Sequence, residues 1–126
     1  MKISEETIQT LDEAIQVHKA WKVRFNVAIV KQEKLDHEAI GRDNCCVLGQ
    51  WLHAEGSGRY GAHSLFTRLM ECHGDFHQEA ARVARQINAG QNDMAIRALG
   101  ATSSFTTAST NVISAIQDLK RSLLES

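Results

Sequence analysis

Phe66-Thr67-Arg68-Leu69-Met70-Glu71-Cys72-His73-Gly74-Asp75-Phe76-His77 is the stretch on which the reading of this chain turns. Phe66, Leu69, His73, Phe76, Ala80, Val83 and Ile87 recur every three or four residues, the period of a helix face and not of a strand. His73 falls in that apolar stripe and His77 on its edge. Their i, i+4 spacing puts both imidazoles on one side of the helix, where they can offer two nitrogens to one metal ion. A buried imidazole needs a partner for its ring nitrogens, and a metal would supply one.

Working outward, this helix is expected over about residues 63–89, stopping at Gly90 as the residue after the cap. An earlier helix is expected over about 4–35, with Ser4 as N-cap and Glu5 and Glu6 in its first turn. Its inner face reads Ile8, Leu11, Ile15, His18, Lys22, Phe25 and Ile29, so His18 stands where a leucine would be expected. Residues 36–43 read as a polar connection. A short helix follows from about Cys45 to Ala54, capped by Asp43 or Asn44. Gly56, Gly58 and Gly61 then mark a flexible loop. The last helix is expected from Asn92 or Asp93 to about Leu124, with Ile96, Leu99, Phe105, Ala108, Val112, Ala115, Ile116, Leu119 and Leu123 inward. Its helix-weak segment Gly100 to Thr110 implies a kink or a break. With no proline, 6% aromatic residues and no period-two runs, the chain reads as all-α. The expected architecture is an antiparallel four-helix-type bundle with a short extra helix carrying a candidate cysteine ligand. The 126 residues read as a single domain, 1–126.

Several functions are excluded by composition. Net charge is −1, with no basic block, so neither nucleic acid nor a membrane surface is an expected partner. No apolar run approaches the roughly 18–20 residues that span a bilayer, and residues 1–6 lack the apolar run of a secretory signal. A cytoplasmic location is expected. The three cysteines, Cys45, Cys46 and Cys72, are odd in number with two adjacent, which is no disulfide framework. No G-x-S-x-G, phosphate-binding glycine loop or H-E-x-x-H occurs. The inner stripes carry too few carboxylates for a di-iron centre. The chain is not expected to be an enzyme.

Four residues assemble without strain. His18 faces inward from the first helix and His73 and His77 from the third. Cys46 sits in the first turn of the short helix, where the helix dipole favours a thiolate. Three nitrogens and one sulfur make a closed tetrahedral set suited to Zn²⁺, which points to a structural or sensing role rather than hydrolysis. Gly49, inside a helical stretch, implies close approach of another helix. Trp51 is expected to pack under Cys46, and Trp21 lies one turn beyond His18. Cys45 rivals Cys46, since adjacent helical positions point about 100° apart and only one can face the site. Cys72 is expected in an interhelical groove, from which it could pair with Cys46 on oxidation. His37, His53 and His63 read as exposed. Asp75 and Glu79 read either as hydrogen-bond acceptors for ligand imidazoles or as solvated surface.

His18-Lys19-Ala20-Trp21 looks like H-x-x-W, Cys46 to Trp51 like C-x-[L/F]-G-x-W, and His73 to His77 like H-x-x-x-H. In this order and spacing they resemble the CZB family, the chemoreceptor zinc-binding domain. The resemblance implies a helical bundle with zinc on His18, Cys46, His73 and His77. It also implies homodimers that serve bacterial signalling proteins such as chemoreceptors and diguanylate cyclases, sensing zinc level or oxidants. No HAMP-like linker or cyclase segment is read here, so the expectation is either a free-standing member acting in trans or one piece of a longer protein. Met1 leans towards the first. Two other readings stand beside it: a helical protein-interaction module with structural histidines, and a metal-free thiol redox sensor with a reactive Cys46.

Overall fold

Ser4 opens the first helix as expected, its Oγ accepting the Thr7 N–H at 3.1 Å. The computed structural model describes residues 3–125. Among them are the helices α1 (Glu5–Lys31), α2 (His37–Gly41), α3 (Val47–Leu52), α4 (Glu55–Tyr60), α5 (Ser64–Asn88), α6 (Asn92–Ala98) and α7 (Ser104–Glu125), and no strand. The chain is all-α, a helical bundle. No described helix is long and apolar enough to cross a membrane.

α1 stops at Lys31 and not near residue 35, because Gln32 takes a left-handed conformation (φ 55°) and Glu33 N–H returns to the Ala28 carbonyl. α5 ends as read, with Gly90 at φ 74°. The helix-weak segment beyond Leu99 is a true break. Ser103 then restarts the helix by accepting the Thr106 N–H, so only the first part of the Gly100–Thr110 segment is non-helical. That break resets the helical phase: Ile96 is 54% exposed and Ala95 takes the inward position. The other expected inner residues of the last helix are buried.

Two expected loops are helical. The 36–43 connection contains α2, capped by the Asp36 carboxylate on Ala39 N–H. The Gly56–Gly61 segment belongs largely to α4. Each glycine there costs about 1 kcal/mol of helix propensity, offset because Gly56 lies against Trp51. A Cβ on Gly56 would meet the Trp51 ring at 2.9 Å and Phe66 at 3.0 Å.

Helix directions follow from side-chain pairings. α7 runs antiparallel to α5, since His63 meets Ser122 and Arg68 meets Asp118. It also runs antiparallel to α1, since Asp12 meets Lys120 and Phe25 meets Phe105. α1 and α5 therefore run in the same direction, with His18 beside His73 and Leu35 N–H on Asn88 Oδ1. The antiparallel expectation holds for α7, and a parallel α1–α5 pair is added to it. Such a pair needs a crossover, and residues 32–63, with α2, α3 and α4, supply it. The core is shared by all three long helices: Leu11, Phe25, Phe76, Leu69, Val112, Ile116 and Leu119 are fully buried.

Candidate metal centre

Where α1, α5 and the crossover meet, His18, Cys46, His73 and His77 place one donor atom each within 4.8 Å of all the others. His73 Nε2 lies 3.0 Å from His77 Nε2 and 3.2 Å from Cys46 Sγ, and His77 Nε2 lies 3.6 Å from the same sulfur. Around a tetrahedral zinc, two nitrogens are about 3.3 Å apart, and a nitrogen and a sulfur about 3.6 Å. Three edges of that polyhedron are thus already in place.

The outer atoms of two rings set the chemistry of the inner ones. His18 Nδ1–H donates to the Ala14 carbonyl at 2.7 Å, and His77 Nδ1–H to the Ile40 carbonyl at 2.7 Å. A carbonyl can only accept, so each ring carries its hydrogen on Nδ1 and a bare lone pair on Nε2. His18 Nε2 is buried with no hydrogen-bond partner among the described residues. Lone pairs converging on a sulfur in a dry interior are costly unless a cation gathers them. The residues present fit a zinc ion. His73 is held differently: its Nδ1 has no hydrogen-bond partner among the described residues, and its ring is wedged between His18 and His77 at centroid distances of 5.3 and 4.5 Å.

Burial controls protonation. The three rings are 2%, 0% and 3% exposed. Desolvation lowers His18 to about 4 against its carbonyl hydrogen bond, lowers His73 to about 2 with help from His77, and lowers His77. All three are neutral and ready to ligate at pH 7. In an unfolded chain they titrate near 6.5, so below that pH the unfolded state binds more protons and folding stability falls. The stability is complete above about pH 6.5 and is lost towards pH 4. His18 alone should contribute a loss of about 2 kcal/mol between pH 7.5 and pH 5. Denaturant titrations of the metal-free chain at the two pH values measure it, and equal stabilities would refute the buried neutral imidazoles.

Cys46 departs from its expected position. It is the N-cap of α3, not a first-turn residue, and its Sγ accepts the Gly49 N–H at 3.3 Å. Burial pushes the thiol up, with Gly49 N–H opposing, so without a cation the sulfur keeps its proton. Cys45 is exposed, its sulfur on Asn44 Oδ1, and of the adjacent pair only Cys46 lies in the donor cluster. Gly49 makes a close approach, though to its own chain and not to another helix: a Cβ there would overlap the Asp43 carbonyl oxygen. Trp51 packs on Tyr60 and Phe66. Trp21 packs on Phe25 and Phe76, with Arg24 above its ring at 4.0 Å. Phe76 in turn stands edge-on to His18.

Cys72 is half-buried and lines a groove with α7 residues Thr107, Ala108 and Asn111. Asp75 is exposed, and Glu79 pairs with Arg82; His18 and His77 use main-chain carbonyls instead. Those acceptors, Ala14 and Ile40, have no side-chain signature by which a sequence could reveal them. His37 and His63 are half-buried rather than exposed, and His63 caps α5 while its Nε2 meets Ser122.

A sequence model described as the chemoreceptor zinc-binding domain matches residues 18–84, more than half of the chain. No curated protein and no solved structure matches it. The matched stretch begins on His18 and includes Cys46, His73 and His77, the residues whose donor atoms converge here. With that motif order, that convergence and that match, the chain belongs to the CZB family and contains a zinc-binding signalling domain.

Proposed function

We propose that His18, Cys46, His73 and His77 bind one Zn²⁺ and that the domain is a sensor, not an enzyme. In this reading it reports zinc level or oxidant exposure to a bacterial signalling protein, of chemoreceptor or diguanylate cyclase type, in cis or in trans. The observation that carries the reading is the pair of Nδ1–H···O=C hydrogen bonds, which leaves Nε2 lone pairs facing a sulfur. Four protein donors complete a tetrahedral shell and leave no open position for a substrate. Trp21, Gly49 and Trp51 support the centre by packing and by fixing the 43–49 turn. The unit is taken as one domain over residues 1–126, cytoplasmic and homodimeric. The shared core of α1, α5 and α7 supports the first of these, and the exposed Val23, Val27 and Val30 along α1 support the last.

The chain's own residues suggest how a signal arises. The sulfur stays a thiolate only while a cation lies against it, because burial otherwise protonates it. Oxidation of that thiolate to a sulfenic acid removes its charge and one of the four donors. α3 keeps apolar anchors of its own, with Leu48, Trp51 and Leu52 buried. The segment set free is therefore the turn from Arg42 to Cys46, and a partner would read the movement of that turn. The buried thiol also disfavours a metal-free redox sensor, which needs a low-pKa thiolate without zinc.

Elemental analysis tests the assignment. The purified chain is expected to carry one zinc, Cys45→Ala to keep it, and Cys46→Ala to hold it at least about tenfold more weakly. Hydrogen peroxide should release zinc from the Cys45→Ala protein and accelerate nothing in Cys46→Ala. Unchanged zinc retention in Cys46→Ala would reject the ligand set.

A further inference from the structure

The three imidazoles are almost completely buried, whereas Cys46 is half-buried. An ion exchanging with solvent must therefore pass on the cysteine side, along the turn that precedes α3. Two side chains with zinc-binding chemistry stand there and belong to no part of the centre. Asp43 and His53 are 34% and 41% exposed at their side chains, with His53 Nε2 3.2 Å from Asp43 Oδ1. That separation is close to the ~3.3 Å between two donors on one zinc ion.

Their placement ties them to the inner site. Asp43 Oδ2 lies over Gly74, 3.6 Å from where a Cβ would stand, and Gly74 directly follows His73. The Asp43 carbonyl sits against Gly49, whose N–H holds the Cys46 sulfur. A cavity of about 330 Å³, lined by Gly41, Arg42, Asp43, Asn44, Gly74 and Gln78, opens the same side to solvent. Charge favours the arrangement too. One zinc with three neutral imidazoles and one thiolate carries a net +1, and the Asp43 carboxylate brings the ensemble to zero.

We propose that Asp43 and His53 form an outer capture site through which zinc enters and leaves the four-donor centre. The proposal rests on the reading of that centre as the zinc site. An arriving aqua ion exchanges waters for the carboxylate and the imidazole first, then passes donor by donor to Cys46 and the buried rings. Release retraces those steps. The ion is never stripped of ligands in a dry interior, which is where the barrier would otherwise lie.

Stopped-flow measurements of uptake, with zinc sulfate and the stripped protein, and of release to a chromogenic chelator test it. His53→Gln is expected to slow both rates about tenfold while the dissociation constant stays within about threefold. Asp43→Asn is expected to slow uptake at least as much, and its deficit should shrink as salt screens the carboxylate's attraction in the unsubstituted chain. Unchanged rates would overturn the proposal. So would faster release with weaker binding, the mark of a surface pair that merely latches the turn. If the unsubstituted chain holds no zinc, the centre itself has been misread; if it holds zinc and the variants exchange normally, only the outer site fails.

Discussion

Stripping zinc with a strong chelator is expected to lower the melting temperature of this chain by about 15 °C or more. The centre draws Cys46 from the crossover onto both α1 and α5. Without an ion it leaves His18 Nε2 buried with no hydrogen-bond partner among the described residues. Each buried polar atom left so costs about 1–3 kcal/mol, and the lost metal bonds add to that, because binding free energy here is folding free energy. The apolar core around Phe25, Phe76 and Leu119 persists, so the stripped chain should remain folded at low temperature and melt earlier. For a chain of this size each 1 kcal/mol moves the transition by about 3–5 °C, and a loss of several kcal/mol gives the shift stated. Differential scanning calorimetry with and without chelator, then with zinc restored, measures it. A change under about 3 °C would show that the four donors are held by packing alone.

Gly49→Ala is expected to be the most damaging single methyl group in the molecule. The added Cβ would overlap the Asp43 main-chain oxygen and approach the Asn44 backbone. Neither atom is the free end of a flexible side chain, so the whole turn must shift. Cys46 lies in that turn, and its sulfur would lose both the Gly49 N–H and its distance to His73. Zinc affinity should fall by about 10–100-fold and stability by about 3 kcal/mol. Gly58→Ala is the control, because a Cβ there meets nothing within 4 Å. It should leave zinc binding unchanged and add up to about 1 kcal/mol of stability through helix propensity. Competition titrations and urea melts of the two variants make the comparison, and equal behaviour would refute the close approach.

The long helices were legible because burial imposes its period directly on the residues. Every member of the Phe66–Ile87 stripe is buried, and His77, placed on its edge, is buried with them. The inward imidazoles were legible for the same reason: an imidazole in a leucine position, as at His18, contradicts its surroundings, whereas Cys46, an N-cap on no apolar stripe, was marked only by its motif. What was hidden depends on contacts between segments. Three glycines between residues 56 and 61 spell a loop by propensity, yet Gly56 against Trp51 and Phe66 makes the segment a helix. Ile96 had the right spacing only while α6 and α7 were one helix. The break after Leu99 turned it outward, and no count of apolar positions registers a phase reset. The shared direction of α1 and α5 leaves no mark in periodicity either, because a helix face reads the same in both directions. The main-chain oxygens of Ala14 and Ile40, which fix two imidazole tautomers, are common to every residue type and so cannot be read from any.

That shared direction has a consequence for how the molecule assembles. α5 and α7 are separated only by the short α6 and its connections and can zip together locally, whereas the Asp12–Lys120 ion pair joins positions 108 apart. Closing such distant contacts is slow, because loop entropy is lost before they repay it. The first helix should therefore dock last, onto a preformed pair. The ion, needing His18 to finish its shell, would be enclosed only at that final step, so the domain becomes metal-tight when α1 at last finds its place against the pair made after it.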